Sequence, residues 1–153
     1  MKQIIVIPMV ASQEEILRGI VRKWVGVVES DKDLVQIDSA MLESFGYGAH
    51  CCGDCKLFSM FLQGGARDDL YILDAELRET LGAQPKLIFP EMAGEIRRYH
   101  PKAKIVVRGN QDYSALAKEA GVDFIPNGHK GLGTALSIAN HYLGADSTNR
   151  RAR

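Results

Sequence analysis

Short runs of β-rich apolar residues alternate with stretches of helical periodicity along almost the whole chain, which predicts a parallel sheet with helices on both faces. Lys2 to Met9, with Ile4-Ile5-Val6-Ile7 at its centre, reads as a first strand. Ser12 then opens a helix with Glu15 three positions on, a capping-box spacing, and Ile16, Leu17, Ile20, Val21 and Trp24 give that helix one apolar face. Val25 to Val28 is the next strand, ending in Glu29-Ser30-Asp31, where Ser30 with Asp33 is an acceptable N-cap. Leu34, Ile37, Met41 and Phe45 form the stripe of the following helix, and Gly46 stops it. Ala49 to Cys52 is a short strand. Asp54 caps the next helix, with Leu57, Phe58, Phe61 and Leu62 expected to face inward and Gly64-Gly65 at its end. Leu70 to Leu73 is a central strand running into Asp74. A helix from about Pro90 to Tyr99 turns Met92, Ile96 and Tyr99 inward, and Lys104 to Val107 forms a strand. Tyr113 to Ala120 is a short helix stopped by Gly121, Val122 to Ile125 is the last strand, and Leu132 to Leu143 is the last helix, with Leu132, Leu136, Ala139 and Leu143 on one side.

No internal repeat, low-complexity segment or long linker divides these elements, so they predict one domain, 24–144. A strand-helix extension, 1–23, precedes it, and a flexible tail, 145–153, without apolar periodicity follows. A chain of 153 residues buries a core without disulfides or metal. Nineteen Lys and Arg balance nineteen Asp and Glu, which disfavours a general nucleic-acid binder. No apolar run is long enough to span a bilayer, and the apolar start is followed at once by Glu14, Glu15 and Arg18 rather than by a small-residue cleavage site. Cys51, Cys52 and Cys55 are an odd number packed into five positions, unlike a secreted disulfide framework, so a reducing cytoplasm is expected.

From about Trp24 to Leu143 the chain resembles the receiver domain of two-component response regulators. The stretches that carry the resemblance are Val27-Val28-Glu29-Ser30-Asp31, Met41 to Tyr47, Asp69-Leu70-Tyr71-Ile72-Leu73-Asp74, Ile96 to Pro101 and Ala120 to Pro126, in that order and spacing, with 44 positions from Ser30 to Asp74. The resemblance implies a doubly wound, flavodoxin-like fold with five parallel strands in the order 2-1-3-4-5, to which the N-terminal strand and helix are additions. It also implies a signalling role rather than a catalytic one, and assigns Asp74 as the phosphoacceptor. Functional groups of such sheets collect at the carboxyl ends of the strands. There the resemblance places magnesium on Glu29, Asp31 and Asp74, hard oxygen ligands that suit the ion.

The chain departs from the family's pattern at three positions. The second acid falls on Ser30, with Asp31 one residue later. The switch hydroxyl falls on Gly109, in Val107-Arg108-Gly109-Asn110. The sensing lysine falls near Asn127, with Lys130 three positions on. The loop from Arg78 to Lys86 is longer than usual, and the helix after Arg108 shorter. The sequence therefore resembles an atypical receiver with no cofactor, or with weakly held magnesium. Arg108 or Lys130 is expected to pair with Asp74. Its expected partners are proteins, such as a histidine kinase or a downstream regulator, or a second copy of itself, with no membrane. A working phospho-receiver and a small-ligand-binding α/β protein are the alternatives.

Other motifs have simpler structural readings. Glu29 and Asp31 are acceptable helix-start acids. On a strand Cys51 and Cys52 point to opposite faces, so with His50 and Cys55 they do not converge on one ion. Gly128-His129-Lys130-Gly131-Leu132-Gly133-Thr134 lacks a phosphate-loop spacing and suits a strand-to-helix turn. Arg150, Arg151 and Arg153 read as a solvated basic end.

Overall fold

The computed structural model of the chain describes residues 22–77, 87–126 and 131–152. The expected N-terminal strand and helix, the whole Arg78–Lys86 loop, Asn127 and Lys130 lie outside them.

Eleven elements alternate in chain order: β1 Trp24–Val28, α1 Lys32–Ser44, β2 Gly48–Cys52, α2 Cys55–Gln63, β3 Leu70–Asp74, α3 Phe89–Tyr99, β4 Lys104–Arg108, α4 Ser114–Ala120, β5 Asp123–Ile125, a 3-10 turn Gly131–Gly133 and α5 Ala135–Ala152. The strands pair in the order β2-β1-β3-β4-β5, all parallel, as expected. β3 is buried at every position, which is why it reads as an unbroken apolar run rather than an alternating one. Side chains alternate across the pleat and build two cores. Val25, Val27, Leu70, Ile72 and Val106 face Leu42 of α1 and Ile138 and Ala139 of α5. Val28, Cys52, Tyr71, Leu73 and Val107 face Phe58 and Leu62 of α2, Met92 and Ile96 of α3, and Ala117 of α4.

The helix faces differ from the sequence pattern in three places. On α1 the inward positions are Asp38 and Leu42, while Ile37, Met41 and Phe45 are exposed. The helix is turned so that a carboxylate, not the fully apolar stripe, meets the sheet. On α2 only Phe58 and Leu62 are buried; Leu57 and Phe61 lie on the rim. Leu132 is exposed in the 3-10 turn, and the helix after it continues to Ala152, through most of the stretch expected to be a tail. The N-cap of α1 is Asp31, not Ser30, because its side chain accepts from the Asp33 and Leu34 N–H groups. Among the described residues no helix is long and apolar enough to cross a membrane.

The register positions the carboxyl-end rim. Val28 pairs with Leu73 and Asp74 with Arg108, so the residues that end β1, β3 and β4 arrive side by side.

Candidate functional site at the carboxyl ends of the strands

Asp74 is the last residue of β3 and is 5% exposed. One carboxylate oxygen accepts from the backbone N–H of Glu76 at 2.9 Å, and the other from the hydroxyl of Ser30 at 3.1 Å. Ser30, at the position of the missing second acid, is thus a donor to Asp74 rather than a second carboxylate.

Glu29 follows β1 and is 1% exposed. Burial, then the charge of Asp74 and a hydrogen bond with it, push its carboxyl up to about 8, against the opposing pull of Arg108 and the Asp31 N–H. At neutral pH the Glu29 carboxyl is therefore held in its protonated form beside Asp74.

Arg108 ends β4 and is 0% exposed. Its guanidinium reaches across β3 to α1: Nη2 lies 2.5 Å from Asp38 Oδ2 and 3.4 Å from Glu29 Oε1. Nη1 donates to the carbonyl of Gly133 at 3.0 Å, while Nε has no hydrogen-bond partner among the described residues. The expected Arg108–Asp74 pair does not form. The charge-balancing partner is Asp38, which a fully buried cation requires more than it requires any one location. One side chain thereby ties together β4, α1, the end of β1 and the turn before α5.

Gly109 follows β4 directly. A Cβ there would lie 2.8 Å from the Cβ of Ala75 and 3.2 Å from the ring of Tyr113. The space where a side-chain hydroxyl would start is filled by these two groups, so its absence is built into the packing.

Of the three acids assigned to magnesium by resemblance, Glu29 and Asp74 are brought together and the Asp31 carboxylate is not. Asp31 is exposed and its carboxylate is spent on the α1 N-cap. Glu29 is shared between Asp74, Arg108 and a backbone N–H. Among the described residues no group of three His, Cys, Asp or Glu is placed to hold a metal ion.

The remaining candidates resolve structurally. Cys51 packs with the α1/α5 core and Cys52 lies in the other, and burial pushes the first thiol up to about 12 and the second to about 11, so neither is a reactive thiolate. Thr134 Oγ1 accepts from the N–H of Ser137 at the start of α5, which explains that part of the glycine-rich stretch as a helix start. Asp38 and the Gly133 carbonyl were missed by sequence reasoning. The available signal was a charged residue, Arg108, ending a strand that is otherwise Ile-Val-Val, which demands a buried partner somewhere.

No protein-family model matches the chain, and no curated protein gives a significant match. Solved structures do. A CheY-like response regulator receiver domain from Methanospirillum hungatei is 16% identical with a TM-score of 0.66, over 84% of this chain and 99% of that one. The N-terminal domain of a three-domain response regulator from Carboxydothermus hydrogenoformans is 18% identical with a TM-score of 0.62, over 83% and 98%. The receiver domain of an HD domain-containing protein from Pseudomonas fluorescens is 18% identical with a TM-score of 0.62, over 84% and 99%. At these identities the likeness is one of fold: the chain has the receiver architecture.

Proposed function

We infer that the chain is an atypical receiver-like signalling module that acts through contact with a protein partner and in which phosphoryl transfer to Asp74 has been lost. The observation that carries this reading is the buried ion pair of Arg108 with Asp38, to which the Glu29 carboxyl adds a hydrogen-bond acceptor. It supplies a permanent positive charge where the resemblance calls for a removable one. It also joins α1 and β4 without reference to the state of Asp74. A phosphate-dependent response needs a group that interacts differently with the two states of the acceptor. Gly109 offers no such group and no room for one.

A second reading has one observation in its favour: Asp74 ends a buried central strand at the rim, where an acceptor carboxylate belongs. That reading makes the protein a phospho-receiver served by a histidine kinase. Incubation with acetyl phosphate and magnesium separates the two. The intact mass is expected to stay unchanged; stoichiometric gain of one phosphoryl group on Asp74, removed by Asp74→Asn, overturns the first reading.

A further inference from the structure

Among the described residues β2 pairs only with β1, so its outer edge is open. The backbone groups on that edge follow from the ladder. The Gly48 N–H donates to the Lys23 carbonyl and the Cys52 carbonyl accepts from the Glu29 N–H, so Gly48, His50 and Cys52 turn their polar groups toward β1. Alternate residues of a strand bond to opposite sides, which leaves the N–H and C=O of Ala49 and Cys51 on the open side.

The two helices beside this edge present different flanks to it. On α2 the hydrogen bond from Ser59 Oγ to Glu95 fixes the flank toward α3. Leu57 and Phe61 lie on the other flank, over the outer edge of β2, with Met60 above them; the three are 41%, 39% and 63% exposed. On α1, Val35 marks the flank toward the edge, since a Cβ on Gly53 at the end of β2 would lie 4.0 Å from its Cγ2. Lys32, Ser39 and Glu43 share that flank at helical spacing, and Lys32 and Glu43 are exposed. Ile37 and Met41 lie on the opposite flank of α1. The sheet's other open edge is unlike this one: β5 has three residues, and α4 exposes no large apolar side chain.

An occupant of the β2 edge has to bring an unpaired strand, an apolar helix flank on one face and a polar flank of complementary charge on the other. A second copy related by a twofold axis brings all three. With the axis at His50, Ala49 of each copy faces Cys51 of the other, and the two pairs exchange four hydrogen bonds. Moving the axis one residue either way pairs Ala49 or Cys51 with itself and sends the other to a residue outside β2. The same axis sets α2 antiparallel to its copy. Leu57 and Phe61 stand symmetrically about the centre of that helix, so each meets the other across the axis. Helices over the outer strand pair stand about one strand spacing from the axis and roughly 10 Å from their mates, which is a helix-packing distance. On the other face Lys32, at the start of α1, comes to the end of the copy's α1, where Glu43 lies.

We propose that a second copy of this chain docks on the β2 edge, antiparallel, joining the two five-stranded sheets into one and packing Leu57 and Phe61 of the two α2 helices together. The surface is independent of whether Asp74 accepts a phosphoryl group.

Sedimentation equilibrium of the full chain over a dilution series tests this, with a monomer–dimer equilibrium expected for the parent. Ala49→Pro removes an N–H that points away from β1, a substitution an edge strand tolerates. It is expected to raise the dimer dissociation constant roughly hundredfold, about tenfold for each of the two hydrogen bonds lost. Leu57→Glu/Phe61→Glu, at exposed positions, is expected to leave only monomer at the same concentrations, and Ile37→Glu/Met41→Glu to leave the equilibrium unchanged. Amide exchange of the unaltered chain reads the edge without any substitution: Ala49 and Cys51 are expected to exchange slowly in the dimer and faster on dilution. A parent that is monomeric throughout, or a dimer broken by the Ile37/Met41 pair and not by the other two variants, overturns the proposal. Slow exchange at Ala49 and Cys51 that dilution does not change would assign the edge to another part of the same chain and overturn it as well.

Discussion

At the carboxyl end of the sheet a guanidinium is fully buried and held by the carboxylate of Asp38, the carboxyl of Glu29 and a carbonyl. At the amino end the corresponding pair is His50 and Asp68. The Nδ1–Oδ1 distance is 2.6 Å, but the histidine side chain is 38% exposed while the aspartate is nearly covered. The first site carries a charge that cannot be given up, since arginine stays protonated. The second carries one that comes and goes with pH: the hydrogen bond His50 donates to Asp68 raises its pKa above the usual value, and partial burial opposes it. The difference separates what holds the fold from what trims it. Removing a partner from the buried pair strands a charge in the core, whereas water can replace much of the exposed one.

Four substitutions sharpen that contrast, in decreasing order of effect. Arg108→Ala leaves Asp38 buried without its cation and is expected to destabilise by about 3–5 kcal/mol in urea denaturation; a loss below 1 kcal/mol would mean the ionic link is dispensable. Gly109→Ser forces a Cβ against Ala75 and Tyr113 and is expected to lower stability by about 1–3 kcal/mol, with partial recovery in the double variant carrying Ala75→Gly. His50→Gln is expected to remove about 1 kcal/mol at pH 6. Because the His50 pKa is raised, its stabilisation is complete below the unfolded value near 6.5 and lost as pH rises through the folded value. The variant should therefore match the parent at high pH.

Glu29→Gln is the mildest at pH 6, since glutamine resembles the protonated acid. Its signature is the pH profile. With a carboxyl raised from 4.5 to about 8, the folded state holds more protons than the unfolded one between those values, so the parent loses stability as pH rises through that window. The variant's profile is expected to be flatter there, as urea midpoints from pH 5 to 8.5 will show.

The strands themselves were legible from local signals, apolar runs of four or five residues and glycine stops, whereas their order was an implication of the resemblance. The place of Asp74 at the end of a strand was legible in the same way, as the acid that follows Leu70-Tyr71-Ile72-Leu73, while its role as an acceptor came from the resemblance alone. The partner of Arg108 was not, because Asp38 is 70 positions away and looks from sequence like an ordinary polar residue of an amphipathic helix. The same buried pair accounts for the misread face of α1. Periodicity favoured Ile37 and Met41, but satisfying the guanidinium turns Asp38 to the sheet. Ser30 and Asp31 are both good caps, and local propensity could not choose between them. The structure gives the cap to Asp31 and the Ser30 hydroxyl to Asp74.

The proposal that rests on the buried Arg108–Asp38 pair is that the rim around Asp74 answers neither to magnesium nor to a phosphoryl group. Amide and side-chain NMR of the full chain with magnesium and beryllofluoride reads this directly. The account predicts no saturable shifts at Glu29, Asp74, Gly109 or the Arg108 guanidinium. Saturable shifts centred on Asp74 that spread to Gly109 and α4 would contradict it.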